Sequence, residues 1–241
     1  MKTDLVVDEY LLDSEEFDFS KNIIRISFRE EYHHAGTLDF DKNDKLYLTT
    51  GDGGPQNDPF NEAQNDNSLR GKLLQINPDT KETKIIAKGL RNPWRFSIDD
   101  NGRFFIGNVG LGSLEMVYLM ENLNKKYNFG WSYYEGSKEN KPGKPFSDFD
   151  PPIFEYPRRE SQGISVIGGS FINKNNIYFF ADYLGFLKAI QYNDNNKKWE
   201  QVGIQKLDTG ERIYSIGYKD DDNIFIMTDK QIYKVIINEI K

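Results

Sequence analysis

Only two histidines occur in this chain, His33 and His34, and both lie in the segment Glu31-Tyr-His-His-Ala-Gly-Thr-Leu38. A neutral imidazole can take a proton near neutral pH, so this pair is the place to look for a general base. A surface or capping histidine is the plainer alternative. The segment Gly89-Leu-Arg-Asn-Pro-Trp-Arg-Phe96 supplies a cation and an amide together. Arg91 is always charged and forked, which suits a carboxylate or a developing negative charge, and Asn92 can both donate and accept. A structural salt bridge would use Arg91 equally well. In Gly107-Asn-Val-Gly-Leu-Gly-Ser-Leu-Glu115 the glycines let a loop expose carbonyl oxygens, and a carboxylate follows. Calcium prefers such an oxygen-rich environment. Asp52 and Asp58, in Gly51-Asp-Gly-Gly-Pro-Gln-Asn-Asp-Pro59, are further possible ligands, although Gly/Asp clusters are also ordinary turn chemistry.

The elements that must position these residues repeat. Residues 38–52, 96–108, 171–182 and 216–229 each read as a hydrophobic strand, an Asp/Asn-rich turn and a second hydrophobic strand that stops near an Asp or Asn. A β-hairpin recurring at irregular intervals, with more strand-like sequence between copies, is the signature of radial repetition in a β-propeller. Further strands are predicted at residues 72–77, 84–88, 115–120, 186–192, 199–204 and 231–237. Residues 5–12 and 22–28 read as two outer strands with no inner hairpin before them. The prediction is therefore an all-β, single-domain chain over residues 1–241, an incomplete propeller of about four to four and a half blades with the half at the front. In that arrangement His33 and Arg91 sit at successive entrances to innermost strands and face one central channel.

Residues 128–163 are the one stretch without strand periodicity. The stretch carries glycines and prolines, but also Trp131, Tyr133, Tyr134, Phe146, Phe149, Phe154 and Tyr156. So many rings need a surface to cover, which argues against disorder. A wall over the channel mouth and a packed surface flap are both compatible with it.

Composition bounds the function. With 31 Lys and Arg against 38 Asp and Glu, the net charge of −7 disfavours nucleic acid, which calls for a concentrated basic face. The acidic run Asp220-Asp221-Asp222 falls in a hairpin turn and reads as a solvated tip. Cysteine is absent, so no disulfide framework exists. No stretch is long and apolar enough for a transmembrane segment, and Met1-Lys-Thr-Asp-Leu5 lacks the apolar region of a signal peptide.

A series of residues, in order along the chain, resembles the soluble PQQ-dependent sugar dehydrogenases, also called the glucose/sorbosone dehydrogenase family. It comprises His33-x-x-Gly36, Gly51-Asp52-Gly53-Gly54, Asp58-Pro59, Gly71-Lys72, the Gly89 to Ser97 segment, Gly107-Asn-Val-Gly110, Glu115, Asn128-Phe-Gly-Trp131, Tyr156-Pro157 and Gly168-Gly169. The resemblance implies a six-bladed propeller in which pyrroloquinoline quinone (PQQ) lies on calcium over the channel. It implies that His33 is the general base and His34 a neighbour, and that Arg91 and Asn92 flank the quinone. The carbonyls of Gly110 and Leu111 would hold the quinone's calcium; Glu115 and the carbonyl of Phe129 would form a second, structural calcium site. The implied reaction is oxidation of an aldose at its anomeric carbon to a lactone, with a small sugar substrate and an electron acceptor as partners. The family is typically secreted or periplasmic.

Departures from the pattern matter. The family carries further blades ahead of the position where this chain starts, and its late basic residues have no match around Ala181-Asp-Tyr-Leu-Gly-Phe186. Arg70 stands where leucine is common and Phe129 where tyrosine is. These differences suggest a truncated enzyme with little activity of its own, and they keep open a non-enzymatic propeller that binds a protein or glycan.

Overall fold

The computed structural model describes residues 3–13 and 16–237. The chain opens on a long two-stranded ribbon, β1 (Thr3–Asp13) with β2 (Glu16–Phe28). Met1 and Lys2, which the sequence reading placed in this outer half-blade, lie outside the described residues. An antiparallel meander follows, β3 (Ala35–Phe40), β4 (Leu46–Thr50), β5 (Lys72–Ile76) and β6 (Thr83–Lys88). The next meander is β7 (Pro93–Ile98), β8 (Phe104–Asn108) and β9 (Leu114–Met120).

The predicted hairpin turns form for a local reason. Asp41 Oδ1 accepts the N–H groups of Asn43 and Lys45 at 2.8 and 3.0 Å. Asp99 Oδ1 does the same for Asn101 and Arg103 at 3.0 and 2.8 Å. A carboxylate that satisfies its own turn specifies the reversal without help from distant residues.

Residues 128–163 are a brace between blades. They begin in β10 (Tyr127–Asn128), which pairs parallel to β6 and so adds a fifth strand to the preceding sheet. A small hairpin of β11 (Tyr134–Glu135) and β12 (Lys138–Glu139) comes next. Then β13 (Phe154–Pro157) pairs antiparallel with β9 and supplies the fourth strand of that sheet. The sequence, read for periodicity, shows neither pairing, because each is too short to carry a pattern.

Two further sheets complete the described chain. One holds β14 (Val166–Ile172), β15 (Ile177–Asp182), β16 (Phe186–Asn193) and β17 (Lys198–Lys206); the other holds β18 (Ile213–Asp220), β19 (Asn223–Thr228) and β20 (Ile232–Val235). The first strands lie in succession, β3 beside β7, β7 beside β14 and β14 beside β18, which is the radial order of a propeller. The Asp220-Asp221-Asp222 tip is not merely solvated: Asp221 accepts the N–H groups of Asn173 and Lys174 in the neighbouring blade.

The core is a set of layers between sheets, and strand alternation decides which layer each ring enters. On β8, Phe104 and Ile106 pack toward Tyr47 and Leu73 of the preceding sheet. Phe105, between them, faces the following sheet and stacks on Tyr178 at 4.6 Å and Phe171 at 5.5 Å. Leu46 and Leu48 face the other way, onto Val7, Ile23 and Phe28 of the ribbon. Truncating such a ring costs about 3–5 kcal/mol, so these layers fix the spacing between blades and hence the loops at the channel.

Candidate active site

His33 has φ 57°, a left-handed conformation, and the chain beneath it makes that turn possible. A Cβ on Gly51 would lie 1.9 Å from the His33 carbonyl oxygen, so only glycine fits there. The Gly51 N–H donates to the His34 carbonyl and the Gly53 N–H to the His33 carbonyl, each at 3.1 Å. The Gly51-Asp-Gly-Gly segment is thus a platform for the histidine loop.

Asp52 stands in that platform, buried, and binds the imidazole. Its Oδ1 is 2.8 Å from His33 Nδ1 and also accepts the Gly54 N–H at 2.9 Å. Its Oδ2 accepts the indole N–H of Trp131 at 2.7 Å. An ionised carboxylate only accepts, so Nδ1 carries the hydrogen and Nε2 keeps a lone pair for a proton. His33 borders a cavity of about 610 Å³ together with Tyr32, Asn92, Trp94 and Arg95. That volume lies within the range of roughly 300–1,000 Å³ usual for small-molecule sites.

His34 borders the same cavity but is used differently. Its Nε2 donates to the Glu30 carbonyl at 2.8 Å, lies 3.2 Å from Thr3 Oγ1, and its ring packs on Phe28 at 4.4 Å. It braces the loop, as a neighbour of the candidate base.

Arg91 is tied to this site through the backbone. Its carbonyl accepts the Asp52 N–H at 2.7 Å, while Asn108 Oδ1 accepts the N–H groups of Arg91 and Asn92, both at 3.1 Å. Asn92 borders the cavity; Arg91 does not. The buried guanidinium reaches the Gly110 carbonyl at 2.7 Å, the Val109 carbonyl at 3.3 Å and Gln56 Oε1 at 2.9 Å. Its Nε is buried without a partner. Burial lowers the pKa of this group, and the charges of Asp52 and Glu115 pull the other way.

The loop after β8 is turned inside out relative to the expectation of a carbonyl-rich calcium site. It wraps its N–H groups around the buried Glu135, whose Oε1 accepts from Gly112, Ser113 and Leu114 at 2.8, 2.9 and 3.2 Å. Burial raises the pKa of this carboxyl, but the N–H groups together hold it below its ordinary value. The Gly110 carbonyl accepts from two guanidinium groups, Arg91 at 2.7 Å and Arg158 at 3.2 Å. Glu115, fully buried, pairs with Arg158 Nη1 at 2.7 Å and accepts the Val166 N–H at 2.8 Å. The Phe129 carbonyl faces the Tyr118 hydroxyl at 3.4 Å. Among the described residues no three His, Cys, Asp or Glu side chains converge as metal ligands.

The contacts at Gly110 and Glu115 do not fit calcium. A divalent cation at Gly110 or Glu115 would have to displace positive charge that already satisfies those oxygens. Asp58 is likewise committed, with Oδ1 and Oδ2 accepting the N–H groups of Glu62 and Ala63 at 2.8 and 2.9 Å. The Nε of Arg91 is a buried donor that lacks an acceptor, and since Arg91 does not border the cavity, it suits an anionic, quinone-like group there through its charge.

Sequence reasoning singled out His33, Arg91 and Asn92, and the structure gathers them around one platform. It missed the partnership of Asp52 with His33, the reach of Trp131 to Asp52, and the roles of Arg95, Glu135 and Arg158. Asp52 and Trp131 were visible as a Gly/Asp turn and as part of an aromatic cluster, but they stand 79 residues apart.

A family model described as Glucose / Sorbosone dehydrogenase matches residues 2–236. The HIPL1 protein of Arabidopsis thaliana is 27% identical over 273 residues, which covers 85% of this chain and 39% of that protein. The HIPL2 protein of the same plant is 31% identical over 197 residues, 62% of this chain and 28% of its own. The chain therefore spans well under half the length of these relatives. Among solved structures, the PQQ-bound form of an aldose sugar dehydrogenase from Streptomyces coelicolor superposes with a TM-score of 0.73 at 19% identity, over 91% of this chain and 64% of that one. The apo-form of a soluble aldose sugar dehydrogenase from Escherichia coli gives 0.75 at 20% identity, over 93% and 70%. These likenesses show the fold.

Proposed function

This chain belongs to the glucose/sorbosone dehydrogenase family, and on that premise we propose that the His33 cavity is where an aldose is oxidised at its anomeric carbon to a lactone with pyrroloquinoline quinone. The observation that supports this reading best is the Asp52–His33 couple, with His33 bordering a cavity of small-molecule size.

In this reading Asp52 holds the Nδ1 hydrogen, so that Nε2 takes the proton of the anomeric hydroxyl as the carbonyl forms. The same carboxylate stabilises the imidazolium that results. Gly54 and Trp131 fix both Asp52 oxygens, which keeps the couple in register without reorganisation during the reaction. Asn92 orients the sugar, and Trp94 and Tyr32 give it flat apolar faces. When bound, the quinone supplies the two-electron acceptor for the anomeric hydride. Arg91, buried and off the cavity lining, would in this reading act on it through its positive charge rather than by direct contact.

The test is dye-linked oxidation of aldoses by the longest natural polypeptide that carries this chain, with quinone added. His33→Ala should lower turnover by roughly 10²-fold or more, the scale of a general base, and His34→Ala far less. Equal losses at the two positions would overturn the assignment. The second reading, a propeller that binds a protein or glycan without chemistry, has one observation behind it: guanidinium groups contact Gly110 and Glu115, two of the four residues that the resemblance assigned to calcium. A folded polypeptide that neither binds quinone nor oxidises any aldose would favour it.

A further inference from the structure

We propose that Arg95 makes the His33 cavity a carboxylate-binding site, so that the ligand taken there is an acid: a sugar that carries a carboxylate, as a uronic acid does, or a carboxylate of the quinone. This rests on the reading of that cavity as the sugar site.

The argument starts from counterions. Three arginines drawn into this protein meet acids: Arg70 pairs with Glu62 at 2.5 Å, Arg103 with Asp99 at 2.7 Å and Arg158 with Glu115 at 2.7 Å. The buried Arg91 has no acid but spends its terminal nitrogens on the Gly110 and Val109 carbonyls and on Gln56 Oε1. Arg95 is half-buried, borders the cavity, and has no ion pair or hydrogen bond from its guanidinium among the described residues. Its Nε is fully shielded and unpartnered. Burial depresses its pKa and no carboxylate offsets the effect. Glu31 is the acidic residue that borders the same cavity, but it is exposed and forms no ion pair with Arg95.

Gly168, at φ 90°, packs against the stem of Arg95: a Cβ there would lie 3.1 Å from the Arg95 Cβ and 3.0 Å from its carbonyl oxygen. The facing strand thus offers bare backbone beside Arg95, where a side chain could have neutralised it. A half-desolvated cation without a partner is costly, and a ligand carboxylate on its two terminal nitrogens removes that cost with two hydrogen bonds. On the same cavity stand the candidate base His33, the amide of Asn92, and the partly exposed rings of Tyr32 and Trp94. Acid, ring and reacting carbon of one sugar acid each find a counterpart there.

Binding can be followed by tryptophan fluorescence, since Trp94 borders the cavity, in the wild-type chain and in Arg95→Gln and Arg95→Lys. The ligands are D-glucuronate, D-glucose and pyrroloquinoline quinone. At least one of the two acids should bind wild type, weaken roughly tenfold or more in Arg95→Gln, and recover in part in Arg95→Lys, as loss of a charge-assisted hydrogen bond requires. Glucose should not distinguish the variants. Dependence on Arg95 for glucuronate assigns the site to a substrate carboxylate, and dependence for the quinone alone assigns it to the cofactor's. If neither acid binds, or both bind all three proteins alike, the proposal fails. The Arg95 guanidinium makes no hydrogen bond or ion pair among the described residues, and Arg95→Lys provides a second folded reference. Because the readout is binding, Arg95-dependent binding without turnover would sink the oxidation reading alone, and turnover with Arg95-independent binding would sink this one alone.

Discussion

Arg158 and Arg95 are both carried into the interior of the propeller, yet they end in opposite states. Arg158 finds the buried Glu115 carboxylate and the Gly110 carbonyl. Arg95 finds backbone and a cavity. The first region is complete in itself: carboxylate, guanidinium and the Val166 N–H satisfy one another, and nothing is left for an ion to do. The second is incomplete, with an unpartnered guanidinium and an imidazole whose outer nitrogen is free. A satisfied charge holds a fold, whereas an unsatisfied one at a cavity awaits a ligand.

Substitution of the two arginines should separate the regions most sharply. Measured above pH 8, where Glu115 is ionised, Arg158→Met leaves the carboxylate buried without its cation, and loss of one member of a buried pair costs roughly 3–5 kcal/mol. Arg95→Met removes a charge that has no partner and should leave stability unchanged or raised. Urea denaturation of the two variants measures this directly, and equal destabilisation would erase the contrast.

A smaller effect is expected with pH. Burial pushes the Glu115 carboxyl up to about 8, against the pull of the Val166 N–H and Arg158. A carboxyl raised in the folded state binds more protons folded than unfolded between the two values, so its contribution is present at low pH and fades as pH rises through the folded value. Melting temperatures of wild type should therefore fall relative to Glu115→Gln from about pH 4.5 to 8. A constant difference across that window would show that the pair stays ionised and that Arg158 outweighs burial.

The smallest effect concerns calcium. The family resemblance leads one to expect that calcium raises the melting temperature and that Glu115→Ala abolishes the gain. The geometry reverses that expectation: excess calcium should not move the wild-type transition, because a ligand stabilises only where the native state binds it. A clear rise that Glu115→Ala removes would mean that Arg158 yields to the ion, and the self-contained region would then be a metal site after all.

Much of the fold was legible because it is built from local causes. Alternation on strands such as β8 and β4, and the Asp41 and Asp99 turns, each act over a handful of residues, so the sequence announces them one hairpin at a time. The candidate base was legible as well, since only two histidines compete for the role. The fourth strand after β9 was not, because Phe154–Pro157 has only four residues and draws its order from its partner.

What the sequence determined by itself, then, is the repeating hairpin and the presence of His33 and Arg91 at neighbouring strand entrances. Only the tertiary structure decided how the charges are matched. Asp52 meets His33 across 19 residues, Glu115 meets Arg158 across 43, and the Arg95 guanidinium has no hydrogen bond or ion pair among the described residues. Side-chain pairing is a property of position in three dimensions: every arginine looks alike in a sequence, and which one keeps a free fork depends on what the neighbouring blade places opposite it. For Arg95 that is the bare backbone at Gly168.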